Sequence, residues 1–176
     1  MTSQEDRFNS LSPKIKEFIK ENLYVKSWKD QYDCEHKKLT SKKGLFLFGI
    51  TGSGKTYSLE TMSELYSLPV VHNWVEMLFD LKDRMNTGGV KGYLDFITER
   101  DFILIDDIGA EKSTEWVQEV IYLIVDRCYR NKKILMLTTN LTQPEFAKRY
   151  GERILSRLVE MCDMITMEDK DHRLED

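Results

Sequence analysis

Two short stretches carry the residue types that handle phosphate. The first is Gly49-x-x-x-x-Gly54-Lys55-Thr56, inside "FGITGSGKTYS". Glycines at such a turn let the backbone wrap an anion, and successive N–H groups at a following helix start point at it. Lys55 is expected to reach the outer phosphates of a nucleotide and the Thr56 hydroxyl to ligate magnesium. The second stretch is "FILIDDIGAE", where four apolar residues put Asp106 at the end of a buried strand. Open α/β sheets bind ligands at that end. Asp106 there can complete a magnesium site with Thr56, and Asp107 can orient a hydrolytic water.

Two further features join them. "LMLTTN" is another apolar strand with a polar tip, so Asn140 is expected beside Asp107, within reach of a phosphate or the attacking water. In "GERILSRLVE", Arg153 and Arg157 lie four apart and share a helix face. An exposed pair of this kind can reach into a neighbouring subunit's site as arginine fingers, or can simply be solvated. Lys82, Arg84 and Lys91, around the break "NTGGVKG", are basic side chains able to track a phosphate backbone; a solvated face is the alternative.

The elements that must position these residues alternate along the chain. Residues 1–10 read as a frayed tail, Pro13 opens a helix, and 26–43 is a polar lead-in. "GLFLFG" is then a strand apolar throughout, which implies burial on both faces. Strands follow at 68–72, 102–106, 133–139 and 162–167. Helices fall between them, opening at Gly54, Asn73, Ser113 and the capping box Thr142-x-x-Glu145. This pattern predicts an α/β fold with a five-stranded parallel sheet covered on both faces. Residues 1–43 are expected to form a short helical extension and 44–176 the nucleotide-binding domain, with no room for a further domain.

Composition excludes several classes. The 176 residues are 41% hydrophobic and 32% charged, with a formal net charge of −4, which argues against bulk affinity for nucleic acid. Cys34, Cys128 and Cys162 form no CxxC pair, and His36, His72 and His172 are isolated. Neither a zinc ribbon nor a disulfide framework is supported. No segment approaches an apolar span of about 18 residues, so a cytoplasmic protein is expected.

Together, "GLFLFGITGSGKTYSL", "FILIDDIGAE", "LMLTTNL" and "YGERILSRLVEMC" resemble the ATPase domain of the DnaC/IstB branch of AAA+ proteins, over roughly residues 44 to 173. The branch contains helicase loaders and transposition helpers. The resemblance implies sheet order 5-1-4-3-2 and no C-terminal helical lid. It implies that ATP and Mg²⁺ are held by Gly49, Thr51, Gly52, Ser53, Gly54, Lys55, Thr56 and Tyr57, with Asp106 as the Walker B magnesium residue. Asp107 stands where most AAA+ proteins have a glutamate, and Asn140 resembles sensor 1. Arg157 is the first choice for the arginine finger, Arg153 the second, and Arg173 resembles a C-terminal arginine of the branch. The implied activity is ATP hydrolysis coupled to remodelling a partner on single-stranded DNA, through sites shared in a homo-oligomer. That partner would be a replicative helicase or another DNA-processing protein. A transposition helper or a small-molecule kinase remains the alternative.

Overall fold

In the computed structural model, which describes residues 3–29 and 35–167, a short N-terminal helix α1 (Gln4–Ser10) precedes α2 (Pro13–Asn22). The expected frayed tail is therefore helical. Ser3 and Asp6 form a capping box that satisfies the first N–H groups of α1, a local signal the polar composition hid. A hairpin follows, β1 (Leu23–Lys29) and β2 (Glu35–Ser41), paired antiparallel from Leu23↔Ser41 onward. The stretch 1–43 thus holds two helices and a two-stranded sheet.

The remaining elements are β3 (Gly44–Phe48), α3 (Lys55–Tyr66), β4 (His72–Asn73), α4 (Trp74–Met85), α5 (Val90–Thr98), β5 (Phe102–Ile108), α6 (Glu115–Arg130), β6 (Ile134–Thr139), α7 (Gln143–Tyr150), α8 (Glu152–Met161) and β7 (Cys162–Thr166). The five-stranded sheet runs β4-β5-β6-β3-β7, every pair parallel. Counted along the sheet from β7, this is the predicted 5-1-4-3-2.

Strand alternation sorts the core onto two faces. Phe46, Phe48, Ile103, Ile105, Leu135 and Leu137 pack against α4 to α8. Leu45, Leu47, Leu104 and Met136 pack on the other side against Ile15 and Phe18 of α2 and Leu59 and Met62 of α3. The central strands β3, β5 and β6 are buried on both faces, which is why they read as continuous apolar runs, whereas the edge strands β4 and β7 are only partly buried.

Two boundaries differ from expectation. Only His72 and Asn73 pair with β5, because Ser63 Oγ bonds the carbonyls of Leu68 and Pro69, and Pro69 has no N–H to give a ladder. The long helix α6 is capped by Thr114, whose hydroxyl accepts from Val117 N–H, one residue after the expected Ser113. Asn73 caps α4 as predicted, accepting from Val75 and Glu76. Cys128 and Cys162 are free and buried; burial pushes the Cys128 thiol up to about 12. Cys34, His172 and Arg173 lie outside the described residues. Among those residues, no helix is long and apolar enough to cross a membrane.

Candidate functional site

The loop after β3 turns at Gly49, where a Cβ would sit 3.0 Å from Ser53 Oγ and 3.3 Å from Met167 Cβ. Gly54 holds φ +83° at the N-cap of α3, a conformation that favours glycine. Having no side chain, it leaves the first N–H groups of α3 open toward an anion.

Lys55 is buried and folded over this loop. Its Nζ donates to Gly49 O (2.8 Å), Ile50 O (2.7 Å) and Asn140 Oδ1 (2.8 Å). Asn140, at the end of β6, donates in turn from Nδ2 to Asp107 Oδ1 at 2.6 Å. Thr56 Oγ1 lies 3.0 Å from both oxygens of Asp106. Lys55, Thr56, Asp106, Asp107 and Asn140 are therefore one cluster drawn from two strand ends and one helix. Thr51, Gly52, Gly54, Lys55, Thr56, Tyr57, Asp107, Thr138 and Asn140 line a cavity of about 250 Å³.

Adjacent residues of a regular strand point to opposite faces, so Asp106 and Asp107 should not share a site. A bulge resolves this. The β5–β6 register shifts between Ile105 and Ile108, and Asp107 takes φ +61°. Asp106 stays buried under the cavity while Asp107 turns into its wall. Burial, then the neighbouring Asp106, raise the Asp107 carboxyl above its ordinary range; Lys55 acts against them, and Glu111 adds to the rise.

Thr138 is the residue that sequence reasoning missed. Its hydroxyl donates to Asp106 Oδ1 at 2.6 Å and accepts from Asp107 N–H at 2.8 Å. Its place two residues before the strand's polar tip was the available signal. A second missed group pins the loop after β5. Glu111 accepts from Gly109 N–H (3.1 Å) and Tyr150 Oη (2.6 Å), and Arg149 Nη1 donates to Gly109 O at 2.8 Å.

A further cavity of about 480 Å³ adjoins the loop and shares Gly54 and Tyr57 with the first. Leu11, Pro13 and Met167 give it apolar walls; Ser12 and Ser53 add polar ones. Tyr57 Oη lies 2.7 Å from Ser10 Oγ, linking α3 to the N-terminal segment.

The arginine pair sits elsewhere. Arg153 is exposed on α8 and lines a groove with Tyr122 and Tyr150. Arg157 is only 15% exposed and ion-paired to Asp126 at 2.5 Å, while Arg130 pairs with the same carboxylate at 2.8 Å. The Arg157 guanidinium also lies over Tyr122 (5.3 Å) and Tyr129 (5.5 Å). Neither arginine lines the phosphate cavity of its own chain. Of the DNA-contact candidates, Lys82 lies over the Trp116 ring at 5.4 Å, Arg84 over Tyr93 at 4.7 Å, and Lys91 is exposed.

No protein-family model matches the chain. Among curated proteins it is 30% identical over 149 residues to the phage-like element PBSX protein XkdC of Bacillus subtilis, covering 79% of this chain and 53% of that one. It is 26% identical over 149 residues to the replicative helicase loader DnaI of Bacillus subtilis, covering 74% and 48%. The chain thus spans about half the length of the curated relatives it matches. Among solved structures, the crystal structure of the DnaC helicase loader superposes with a TM-score of 0.63 at 27% identity, over 72% of this chain and 78% of that one.

Proposed function

We propose that the chain is an AAA+ P-loop protein related to the DnaC and DnaI helicase loaders, and that residues 44–176 bind and hydrolyse ATP to remodel a partner protein on single-stranded DNA. The observation that carries the reading is the cluster of Lys55, Thr56, Asp106, Asp107 and Asn140 around one cavity.

Each residue has a role that its chemistry fits. Lys55 and the open N–H groups of α3 neutralise phosphate oxygens. Thr56 and Asp106 would hold magnesium, since a hydroxyl and a carboxylate 3.0 Å apart form a hard oxygen donor set. When bound, that ion supplies further neutralisation of phosphate charge. Asp107, held by Asn140, accepts a hydrogen bond from the attacking water and aligns it; Asn140 keeps the carboxylate oriented. The adjoining cavity at Leu11, Pro13, Tyr57 and Met167 takes the nucleoside, because it shares a wall with the phosphate cavity.

Among the described residues no arginine lines the phosphate cavity, which favours completion by a second copy of the chain. Arg157 and Arg153 are the groups offered to that neighbour. The partner would be a replicative helicase, the class of protein that the related loaders are named for.

Titration calorimetry with ATP and magnesium tests the first step: absence of binding ends the whole reading. Affinity capture from the source cells tests the last. Recovery of a replicative helicase supports it, and recovery of a transposase assigns the same ATPase chemistry to transposition.

A further inference from the structure

Glu111 and Arg149 form an ion pair that the proposed chemistry does not use, on the loop into which Asp107 leads. Arg149 Nη2 lies 3.2 Å from Glu111 Oε1, joining the end of α7 to the loop after β5. The Glu111 side chain is 7% exposed and that of Arg149 21%. A largely buried pair recovers little more than its desolvation cost, and apolar replacements for such pairs are often neutral. Arg149 Nε is also buried, with no hydrogen-bond partner among the described residues. Stability alone is therefore a poor reason for this pair. What it fixes is the backbone.

Both side chains act on Gly109, two positions after Asp107. Glu111 Oε2 accepts from the Gly109 N–H at 3.1 Å, and Arg149 Nη1 donates to the Gly109 carbonyl at 2.8 Å. Arg149 Nη2 also donates to the Glu111 carbonyl. Tyr150, beside Arg149 at the end of α7, donates from Oη to Glu111 Oε1 at 2.6 Å. Glu111 thus uses one oxygen on Gly109 and the other on Arg149 and Tyr150.

Asp107 needs such support. It holds φ +61°, a left-handed conformation uncommon for a residue with a side chain. Its carbonyl accepts from the Ala110 N–H at 3.3 Å, closing a turn that contains Gly109. Thr138 holds the Asp107 N–H, Asn140 holds Asp107 Oδ1, and Thr139 Oγ1 holds the Ile108 carbonyl at 2.5 Å. These three groups come from β6 and the residue after it, and they secure the start of the turn. Glu111 and Arg149 secure its far end.

We propose that Glu111 and Arg149 are positioning residues for Asp107. They lock the turn that aims its carboxylate at the attacking water, and so set turnover without touching ATP. This role rests on the water-orienting function proposed above for Asp107. Because α7 runs through Gly151 directly into α8, the pair also ties that carboxylate to the helix that carries Arg153 and Arg157.

The test reads turnover, ATP affinity and backbone conformation in the full chain. Glu111→Leu and Arg149→Met, which keep apolar bulk, should each lower kcat about ten-fold or more while the ATP Kd stays within about two-fold. In an Asp107→Asn background neither change should lower the residual turnover further, whereas both should still alter the melting temperature. Arg127→Ala is the reference for a merely structural loss, since it breaks the partly exposed pair with Asp95 between α5 and α6. It should lower the melting temperature and leave kcat at the parental value. The ¹³Cα and ¹³Cβ shifts of Asp107 report its φ and need no hydrolysis. In Arg149→Met, the milder variant, they should move away from left-handed values. Parental Asp107 shifts in both variants overturn the proposal. So does a loss of kcat that persists undiminished in the Asp107→Asn background, or an equal loss in Arg127→Ala. A parent that binds ATP without hydrolysing it ends the ATPase reading instead, and the carbon shifts then decide by themselves whether the pair positions Asp107.

Discussion

Thr138 Oγ1 donates a 2.6 Å hydrogen bond to Asp106 Oδ1, and both groups are buried. The same hydroxyl accepts from the Asp107 N–H, so one side chain on β6 fixes the two acidic residues of β5. Thr138→Val keeps the shape and removes the hydroxyl. It leaves a buried carboxylate oxygen and a backbone N–H short of a partner, a cost of about 1–3 kcal/mol. Thermal denaturation should show a melting temperature lower by about 3–8 °C. Magnesium-dependent nucleotide affinity should fall about ten-fold, because Asp106 is no longer held toward Thr56. Thr138→Ser should restore both. A valine variant indistinguishable from the parent removes Thr138 from the site.

Lys55 joins the phosphate loop to the tip of β6 through Gly49, Ile50 and Asn140. Lys55→Ala is expected to weaken ATP binding at least a hundred-fold by calorimetry, since it deletes the buried cation that meets the phosphates. Asn140→Ala should do less to binding and more to turnover. It frees the Asp107 carboxylate but leaves the loop intact.

Asp107 carries a pH prediction. Burial and the nearby Asp106 raise its pKa in the folded protein, so the fold favours the protonated form. A raised carboxyl contributes stability that is fully present below the unfolded pKa of about 3.9 and is lost as pH rises through the folded value. At neutral pH the ionised group is therefore a destabilising element. Asp107→Asn should raise the melting temperature at pH 7, and the gain should vanish as pH falls toward 4. Asparagine also tolerates the left-handed φ of this position. ATP binding should persist while turnover drops at least about a hundred-fold. The acid limb of the parent's turnover should lie above the range of an ordinary carboxylate. Full turnover in the asparagine variant would remove Asp107 from the water-orienting role.

The two arginines of α8 should separate. Arg157 pairs with Asp126 and lies between two tyrosines, whereas Arg153 is exposed. Arg157→Ala leaves Asp126 with Arg130 alone, at a cost of about 2 kcal/mol and a fall of about 4–8 °C in melting temperature. Arg153→Ala should leave stability unchanged. If a neighbour's arginine completes the site, one of the two variants should lose turnover with ATP binding intact. Mixing it with a Lys55→Ala subunit, which keeps the arginines, should then restore part of that turnover. Two variants with parental turnover would place the finger outside α8.

Much of the fold was legible because its signals are local. The phosphate loop is a fixed run of glycines before a helix, the strands are apolar on both faces, and the Asn73 and Thr142 caps depend on side chains two or three residues from the N–H groups they serve. The same locality let the three polar strand and loop tips be grouped together, since parallel strands bring their C-terminal ends to one edge. Where local signals were weak the reading slipped. The hairpin at 23–41 lacks alternating hydrophobicity because it lies beside the core rather than across it, and the Ser3 cap was lost in a polar run.

What no stretch of sequence could decide depends on partners distant along the chain. The bulge that turns Asp107 beside Asp106 exists only in the register between β5 and β6. Thr138 reaches Asp106 across the same pair of strands, and Leu11, at the end of α1, lines one cavity with Met167, which follows β7. Arg157 reads as a free cation until α6 brings Asp126 against it. Residue types and spacing placed a glycine-rich loop with the phosphate-binding pattern at the end of β3. The packing of strands and helices from separate parts of the chain decided which groups surround it, because distances across a sheet are set by register and not by position in the sequence.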